Sequence, residues 1–176
     1  MATVFLSLGS NIHREYYLAS AKEALAQLFG EVRYSSIYES EAVGFNGDPF
    51  YNLVAQVETS LSVSQLSSQL KCIEDDCDRD RSAPRFSGRT LDIDLLTYDD
   101  CIDTIKGIEL PRPEILQQAF VLWPMAELAP TRLHPKAQQC YQDLWHDFRA
   151  QQPQKAAALH PIALSMSELC LCQSPL

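Results

Sequence analysis

The sequence predicts an α+β fold: a ferredoxin-like βαββαβ sandwich with helices packed on an antiparallel sheet and a C-terminal extension. Three observations predict it. Segments rich in β-forming residues alternate with two stretches of helical periodicity in the order β-α-β-β-α-β. Clusters of Gly, Asn, Asp, Pro and Ser separate the segments. The chain of 176 residues is long enough for one domain with a full core and short for two.

Residues 3–9 (TVFLSLG) read as a buried strand, ended by Gly9, Ser10 and Asn11. Over residues 15–29, apolar side chains fall at Leu18, Ala21, Leu25, Leu28 and Phe29, the spacing of one helix face, and Gly30 supplies a stop. Residues 32–38 are dense in β-formers and predict a second strand, followed by a loop with Gly44, Asn46, Gly47, Asp48 and Pro49. Residues 50–59 alternate, placing Leu53, Ala55 and Val57 on one side of a third strand. Ser62 and Gln65 have capping-box spacing, and Leu66, Leu70, Ile73 and Cys77 form a helical stripe behind them. Residues 90–98 (TLDIDLLTY) return to strand. A hairpin at Asp99 and Asp100, with a strand ending near Leu110, is expected to extend the same sheet. Ala137, Cys140, Tyr141, Leu144, Trp145 and Phe148 predict one more amphipathic helix. Residues 1–150 are therefore read as the domain. Residues 151–176 form a tail, polar at first and then apolar without period, to which the sequence assigns no role.

Composition narrows the function classes. Hydrophobic residues at 46% and charged residues at 21% place the chain among ordinary globular domains. A net charge of −9 repels phosphate backbones, so nucleic acid is not an expected partner. Any anionic ligand must instead meet a local cluster of positive charge. The N-terminus lacks a basic leader, and the longest apolar run, residues 119–126, is far short of the ~20 residues of a membrane span. The expected location is cytoplasmic, with no membrane partner. Six scattered cysteines without a C-x-x-C pair are expected to be reduced thiols, not a zinc or disulfide framework.

The sharpest chemical feature is RTLDIDLL at residues 89–96. On a strand, side chains two residues apart share a face about 6.6 Å from each other. Leu91, Ile93 and Leu95 would then face the core, with Asp92 and Asp94 side by side on the other face. Paired carboxylates repel unless a cation lies between them, and Mg²⁺ suits oxygen ligands while keeping sites for phosphate. A solvated strand face is the alternative for a bare D-x-D pattern. Of nine arginines, however, Arg79, Arg81, Arg85 and Arg89 lie in one short stretch just upstream. Guanidinium groups grip phosphate oxygens in bidentate fashion. Asp75, Asp76, Asp78 and Asp80 could instead neutralise those arginines in a solvated loop. The cationic loop and the carboxylate strand together favour a polyphosphate site. No P-loop, Rossmann fingerprint or nucleophile elbow is present. The four histidines lack metal spacing and read as surface or capping residues. Phe50, Tyr51 and Asn52 offer ring faces and an amide edge to a flat heterocycle, with Phe120 as an opposite wall; aromatics that open a strand are more often core, and Phe120 reads equally as core.

Taken together, the GSN at residues 9–11, the FYN at 50–52, the run 74–79, RTLDIDLL and LPRPEILQQAFVLWPMAELAP resemble the 6-hydroxymethyl-7,8-dihydropterin pyrophosphokinase family of folate biosynthesis. The similarity runs from about Val4 to about Asp147. It implies a ferredoxin-like fold and transfer of pyrophosphate from ATP to a reduced pterin within residues 1–150. It further implies that Asp92 and Asp94 hold two Mg²⁺ ions against the ATP phosphates, and that Arg79 and Arg89 act catalytically on the triphosphate. Glu74, Arg81, Arg85 and Arg112 fall on the ATP side, Glu74 beneath the site and Arg81 and Arg85 in a closing loop. Asn52 would bind the pterin edge, Phe50 and Phe120 would sandwich its ring, and Val43 with Gly44 falls in the pterin-contacting loop. ATP and the pterin are the expected partners of a monomer or weak homo-oligomer.

The sequence departs from that family on the ATP side. Pro111-Arg112-Pro113 stands where Pro-His-Pro or Pro-His-Tyr is usual, and Gln118 where an arginine is usual. Phe86 replaces a loop tryptophan found in some members, and Lys71 replaces a glutamine. Two other readings follow: a non-catalytic pterin-binding protein with a degenerate ATP site, and a Mg-dependent transferase acting on a different heterocyclic alcohol.

Overall fold

The computed structural model describes residues 1–42, 47–80, 82 and 88–170. Its sheet is built outward from β1 (Ala2–Ser10), whose Val4, Leu6 and Leu8 face one core while Phe5 faces another. A strand buried on both faces has no use for polar alternation, which is why residues 3–9 are so apolar. Helix α1 (Arg14–Phe29) buries Leu18, Ala21 and Leu25 as its periodicity predicts.

The single strand expected over 32–38 is two short ones, β2 (Val32–Tyr34) and β3 (Tyr38–Ser40). Both pair with β4 (Phe50–Thr59), opposite Ala55–Val57 and Phe50–Asn52 respectively. The break lies at Ser35. Its N–H donates to the Val54 carbonyl and its hydroxyl accepts from the Val54 N–H, each at 3.0 Å. A side-chain oxygen thus takes a place that a strand carbonyl would hold. Helix α2 (Val63–Asp76) opens at the expected box: Ser62 Oγ accepts from the Gln65 N–H, and Gln65 Oε1 accepts from the Ser62 N–H. β5 (Asp92–Tyr98) completes the sheet, in the order β5-β1-β4 with β2 and β3 both on the far side of β4. All these pairings are antiparallel, the ferredoxin-like arrangement the sequence predicts.

β6 (Asp103–Ile105) and β7 (Ile108–Leu110) do not extend the sheet; they form a separate two-stranded ribbon. Lys106 and Gly107, both at positive φ (49° and 83°), close that ribbon in the tight turn a two-residue hairpin requires. The free edge of β5 is met by other groups instead: the Arg112 N–H donates to the Leu96 carbonyl at 2.8 Å. After α3 (Glu114–Gln117), α4 (Ala119–Leu128) covers the face of the sheet opposite α1 and α2, with α5 (Tyr141–Gln151) behind it. Phe5, Val54, Leu96, Leu122, Met125 and Trp145 form this second core. Its rings stack in series: Trp123 to Trp145 at 5.0 Å between centroids, Trp145 to Phe148 at 5.8 Å.

Helix α5 starts at Tyr141, later than the pattern from Ala137 predicts, because residues 134–139 make a turn with Gln138 at φ 55°. Of the surface or capping roles expected of His134, the structure gives the second: the residue is 2% exposed in that turn. Its Nδ1 accepts the Ala137 N–H at 3.1 Å, a capping role carried out in the interior. Beyond α5, α6 (Pro153–Ala157) leads into β8 (His160–Pro161), which pairs with β3. Leu159, Met166 and Leu169 are buried, and Lys22 Nζ donates to the Met166 and Leu169 carbonyls at 2.9 and 2.8 Å. Of the segment to which the sequence assigns no role, residues 159–169 therefore pack on the rest. Among the described residues no helix is long and apolar enough to cross a membrane.

Candidate active site

β5 lies at the edge of the sheet, so one row of its backbone groups has no strand to pair with. Two charged side chains occupy that row. Glu74, 5% exposed on α2, accepts the Ile93 N–H on Oε1 at 2.8 Å. Arg79 donates from Nη1 to the Leu91 carbonyl at 2.5 Å and to Asp92 Oδ1 at 2.8 Å, and lies 3.5 Å from Glu74 Oε1. The strand edge is therefore terminated by an ion pair, and the same guanidinium reaches the first carboxylate.

Ile93 and Leu95 point into the first core, which turns Asp92 and Asp94 to the opposite side of the strand. The register sets them beside β1, Asp92 opposite Gly9 and Asp94 opposite Ser7. Asp92 takes two arginines, Arg79 on Oδ1 and Arg89 on Oδ2. Asp94 takes Arg112, whose Nη2 donates to Oδ1 at 2.7 Å. Burial and the neighbouring Asp92 hold the Asp94 carboxyl above its ordinary value, and Arg112 and Arg89 oppose that shift. Three carboxylates, Glu74, Asp92 and Asp94, and two guanidinium groups, Arg79 and Arg112, thus line one cavity of about 240 Å³ together with Lys71.

This donor set fits a hard divalent cation. The pair offers oxygen ligands, one of them in need of a counter-charge. Among the described residues no group of three or more His, Cys, Asp or Glu forms a metal cage. Mg²⁺ is commonly held in this way, by one or two carboxylates with phosphate and water completing its shell.

The same row of the sheet carries the aromatic and amide residues. Gly9 is opposite Asp92 on one side and Asn52 on the other, so Asp92 and Asn52 are two strands, about 10 Å, apart. A Cβ on Gly9 would stand 3.3 Å from Asn52 Oδ1, so the glycine makes room for the amide. Asn52, 5% exposed, donates to Ser40 Oγ at 2.9 Å. Phe50 is half-buried at the start of β4, and Phe120 is half-buried against the second core in the first turn of α4. Val43, Gly44, Arg81 and Arg85 lie outside the described residues.

The structure also brings in residues to which the sequence reading gives no task. Arg14 donates to Glu39 and to the Pro49 carbonyl, each at 2.8 Å, with its guanidinium 3.7 Å above the Tyr51 ring. Asn11 bonds both residue 89 and residue 48. A Gly-Ser-Asn ending a strand was a visible sign of a turn, but only folding shows what the amide reaches.

The sequence profile of the 7,8-dihydro-6-hydroxymethylpterin-pyrophosphokinase (HPPK) family matches residues 5–130. The chain is 35% identical over 137 residues to 2-amino-4-hydroxy-6-hydroxymethyldihydropteridine pyrophosphokinase of Aquifex aeolicus, covering 77% of this chain and 85% of that protein. The Haemophilus influenzae protein of the same name is 34% identical over 142 residues, covering 78% and 88%. In structure the chain is similar to wild-type Plasmodium falciparum HPPK-DHPS with SDX-DHP, at a TM-score of 0.73 and 13% identity. That alignment covers 93% of this chain and 48% of the other, so the chain spans about half of that protein's length, and the likeness is one of fold. By profile and by identity over most of its length, the chain belongs to the 7,8-dihydro-6-hydroxymethylpterin-pyrophosphokinase family.

Proposed function

We propose that the carboxylate pair of β5 and the arginines gathered on it are the centre at which this chain performs its family's reaction. That reaction transfers pyrophosphate from ATP to 6-hydroxymethyl-7,8-dihydropterin, giving the pterin diphosphate and AMP in folate biosynthesis. The pterin hydroxymethyl oxygen forms a bond to the β-phosphorus. The bond from that phosphorus to the bridging oxygen breaks, AMP leaves with the oxygen, and the hydroxyl proton passes to solvent. Such transfers ask a protein mainly for alignment and charge neutralisation.

The observation that carries this reading is the convergence of Arg79, Arg89 and Arg112 on Asp92 and Asp94 beside a cavity. With Mg-ATP bound, Asp92 and Asp94 would hold two Mg²⁺ ions, which supply charge neutralisation to the phosphates and lower the proton affinity of the attacking hydroxyl. Arg79 and Arg89 then turn from carboxylate to phosphate oxygens and meet charge on the transferred group and the leaving oxygen. Arg112 serves the nucleotide in the same way. Glu74 acts from beneath by fixing Arg79 and the strand. Asn52 takes the pterin edge, and Phe50 and Phe120 take its ring faces. The spacing of about 10 Å between Asn52 and Asp92 suits a two-ring heterocycle whose one-carbon arm reaches the phosphates. Val43 and Gly44 are assigned to the pterin loop, and Arg81 and Arg85 to a loop closing over ATP. The catalytic unit is residues 1–150, acting as a monomer or weak homo-oligomer in the cytoplasm.

The test is AMP production from Mg-ATP with and without 6-hydroxymethyl-7,8-dihydropterin. AMP is expected only when the pterin is present. Tight pterin binding with no AMP would overturn the reading in favour of a non-catalytic binding protein.

A further inference from the structure

The turn that ends β1 joins the two halves of this site. Asn11 is 4% exposed. Its N–H and that of Ile12 both donate to the Arg89 carbonyl, at 3.0 and 3.2 Å. Its side-chain Oδ1 accepts the Arg89 N–H at 2.6 Å, so one turn holds both backbone polar groups of Arg89. Its Nδ2 donates to the Asp48 carbonyl at 3.0 Å. Gly88 allows the approach: a Cβ there would stand 3.0 Å from Ile12 Cδ1 and 3.5 Å from Asn11 Oδ1. On the other side, Asp48 and Pro49 lead directly into Phe50 and Asn52, and Arg14 holds the Pro49 carbonyl.

We propose that Asn11 is a positioning residue that sets Arg89, on the triphosphate side, against segment 48–52, on the pterin side; this rests on the function proposed above. The requirement is chemical. One residue must accept from an N–H at one end and donate to a carbonyl at the other, and a neutral amide does both. Aspartate keeps the acceptor and loses the donor; alanine loses both. In-line transfer is sensitive to such placement, since an error of about 1 Å can cost about 100-fold in rate. Because these side-chain hydrogen bonds of Asn11 go to backbone groups, its effect must pass through what that backbone carries.

The experiment is a double-mutant cycle on the single-turnover rate, with Asn11→Ala, Arg89→Ala and both together, and unfolding midpoints for each. Asn11→Ala is expected to slow the wild-type background by about 30-fold or more, and the Arg89→Ala background by less than about threefold. Equal losses in both backgrounds, or no loss in the wild type, overturn the proposal, because a merely structural residue costs the same whether or not Arg89 is present. Asn11→Asp keeps the volume and the Arg89 arm, and it carries the test if the alanine variant does not fold. It is expected to hold kcat within about fivefold while KM for the pterin rises about tenfold, as for one lost hydrogen bond. A fall in kcat with KM unchanged overturns the assignment of the second arm. Wild-type protein that forms no AMP sinks the functional reading, and this proposal with it. An active wild type with an unaffected Asn11→Ala variant sinks this proposal alone.

Discussion

Arg112 donates from Nη2 to Asp94 Oδ1 at 2.7 Å, while its Nε stands 3.6 Å from Glu114 Oε2, too far for a hydrogen bond. The guanidinium therefore grips the carboxylate at one point instead of as a fork, and it occupies an oxygen that a divalent ion would need. Arg112→Gln is expected to tighten Mn²⁺ binding to the nucleotide-free protein and to weaken ATP binding. The second effect is that of one charge-assisted bond, about 1.5–3 kcal/mol. Calorimetric titration with each ligand checks both, and no change in either would remove Arg112 from the site.

Glu74 sits under the strand edge with its Oε1 on the Ile93 N–H. Glu74→Leu leaves that buried N–H without its acceptor, a cost of about 1–3 kcal/mol, and removes a charge beside Arg79. Denaturant unfolding should show this loss, together with a kcat at least about tenfold lower if Arg79 has to be aligned. Glu74→Gln keeps an acceptor oxygen and should recover most of the stability. Loss of stability without loss of rate would make Glu74 a purely structural residue.

Asn52→Ala should weaken pterin binding about tenfold or more while leaving ATP affinity unchanged, as expected for a lost edge hydrogen bond. Gly9→Ala should act in the same direction, because its new Cβ would stand 3.3 Å from Asn52 Oδ1. Fluorescence titration of the pterin measures both. Unchanged affinity in the Asn52 variant would move the pterin pocket elsewhere.

His134 gives the fold a pH dependence of known sign. Burial, with Lys136 close by, lowers its pKa below the ordinary 6.5, so the folded chain resists protonation while the unfolded chain accepts it. Stability from this residue is present above 6.5 and is lost as pH falls from 6.5 through the lowered value. His134→Asn keeps an acceptor for the Ala137 N–H and does not titrate. The difference in unfolding midpoint between wild type and variant should therefore shrink or reverse on acidification. A difference independent of pH would contradict the assignment.

How far the sequence exposed all this depended on whether the information was local. β5 was legible because residues 91–95 alternate: Leu91, Ile93 and Leu95 are buried, and Asp92 and Asp94 turn away from them. The Ser62–Gln65 box and the stripe behind it were legible for the same reason. Helix α4 was not, since Ala119–Leu128 is apolar almost all round and holds Pro124, which leaves no period to read. The division of β2 from β3 was hidden because Ser35 interrupts pairing through its contact with Val54, nineteen residues away. Within the site, the arginine cluster was evident, but not that Arg79 and Arg89 close on one carboxylate while Arg112 takes the other. Strand parity fixes where Asp92 points; nothing in the spacing of loop residues fixes where an arginine ends.

The most direct measurement is Mn²⁺ binding, followed by electron paramagnetic resonance, in the presence of a non-hydrolysable ATP analogue. Wild type is compared with Asp92→Asn and Asp94→Asn. Wild-type protein with analogue should bind the ion at least about tenfold more tightly than either variant, as when one carboxylate ligand is withdrawn from a site that has few. Equal binding in all three proteins would contradict the claim that this pair of aspartates gathers the metal around the nucleotide.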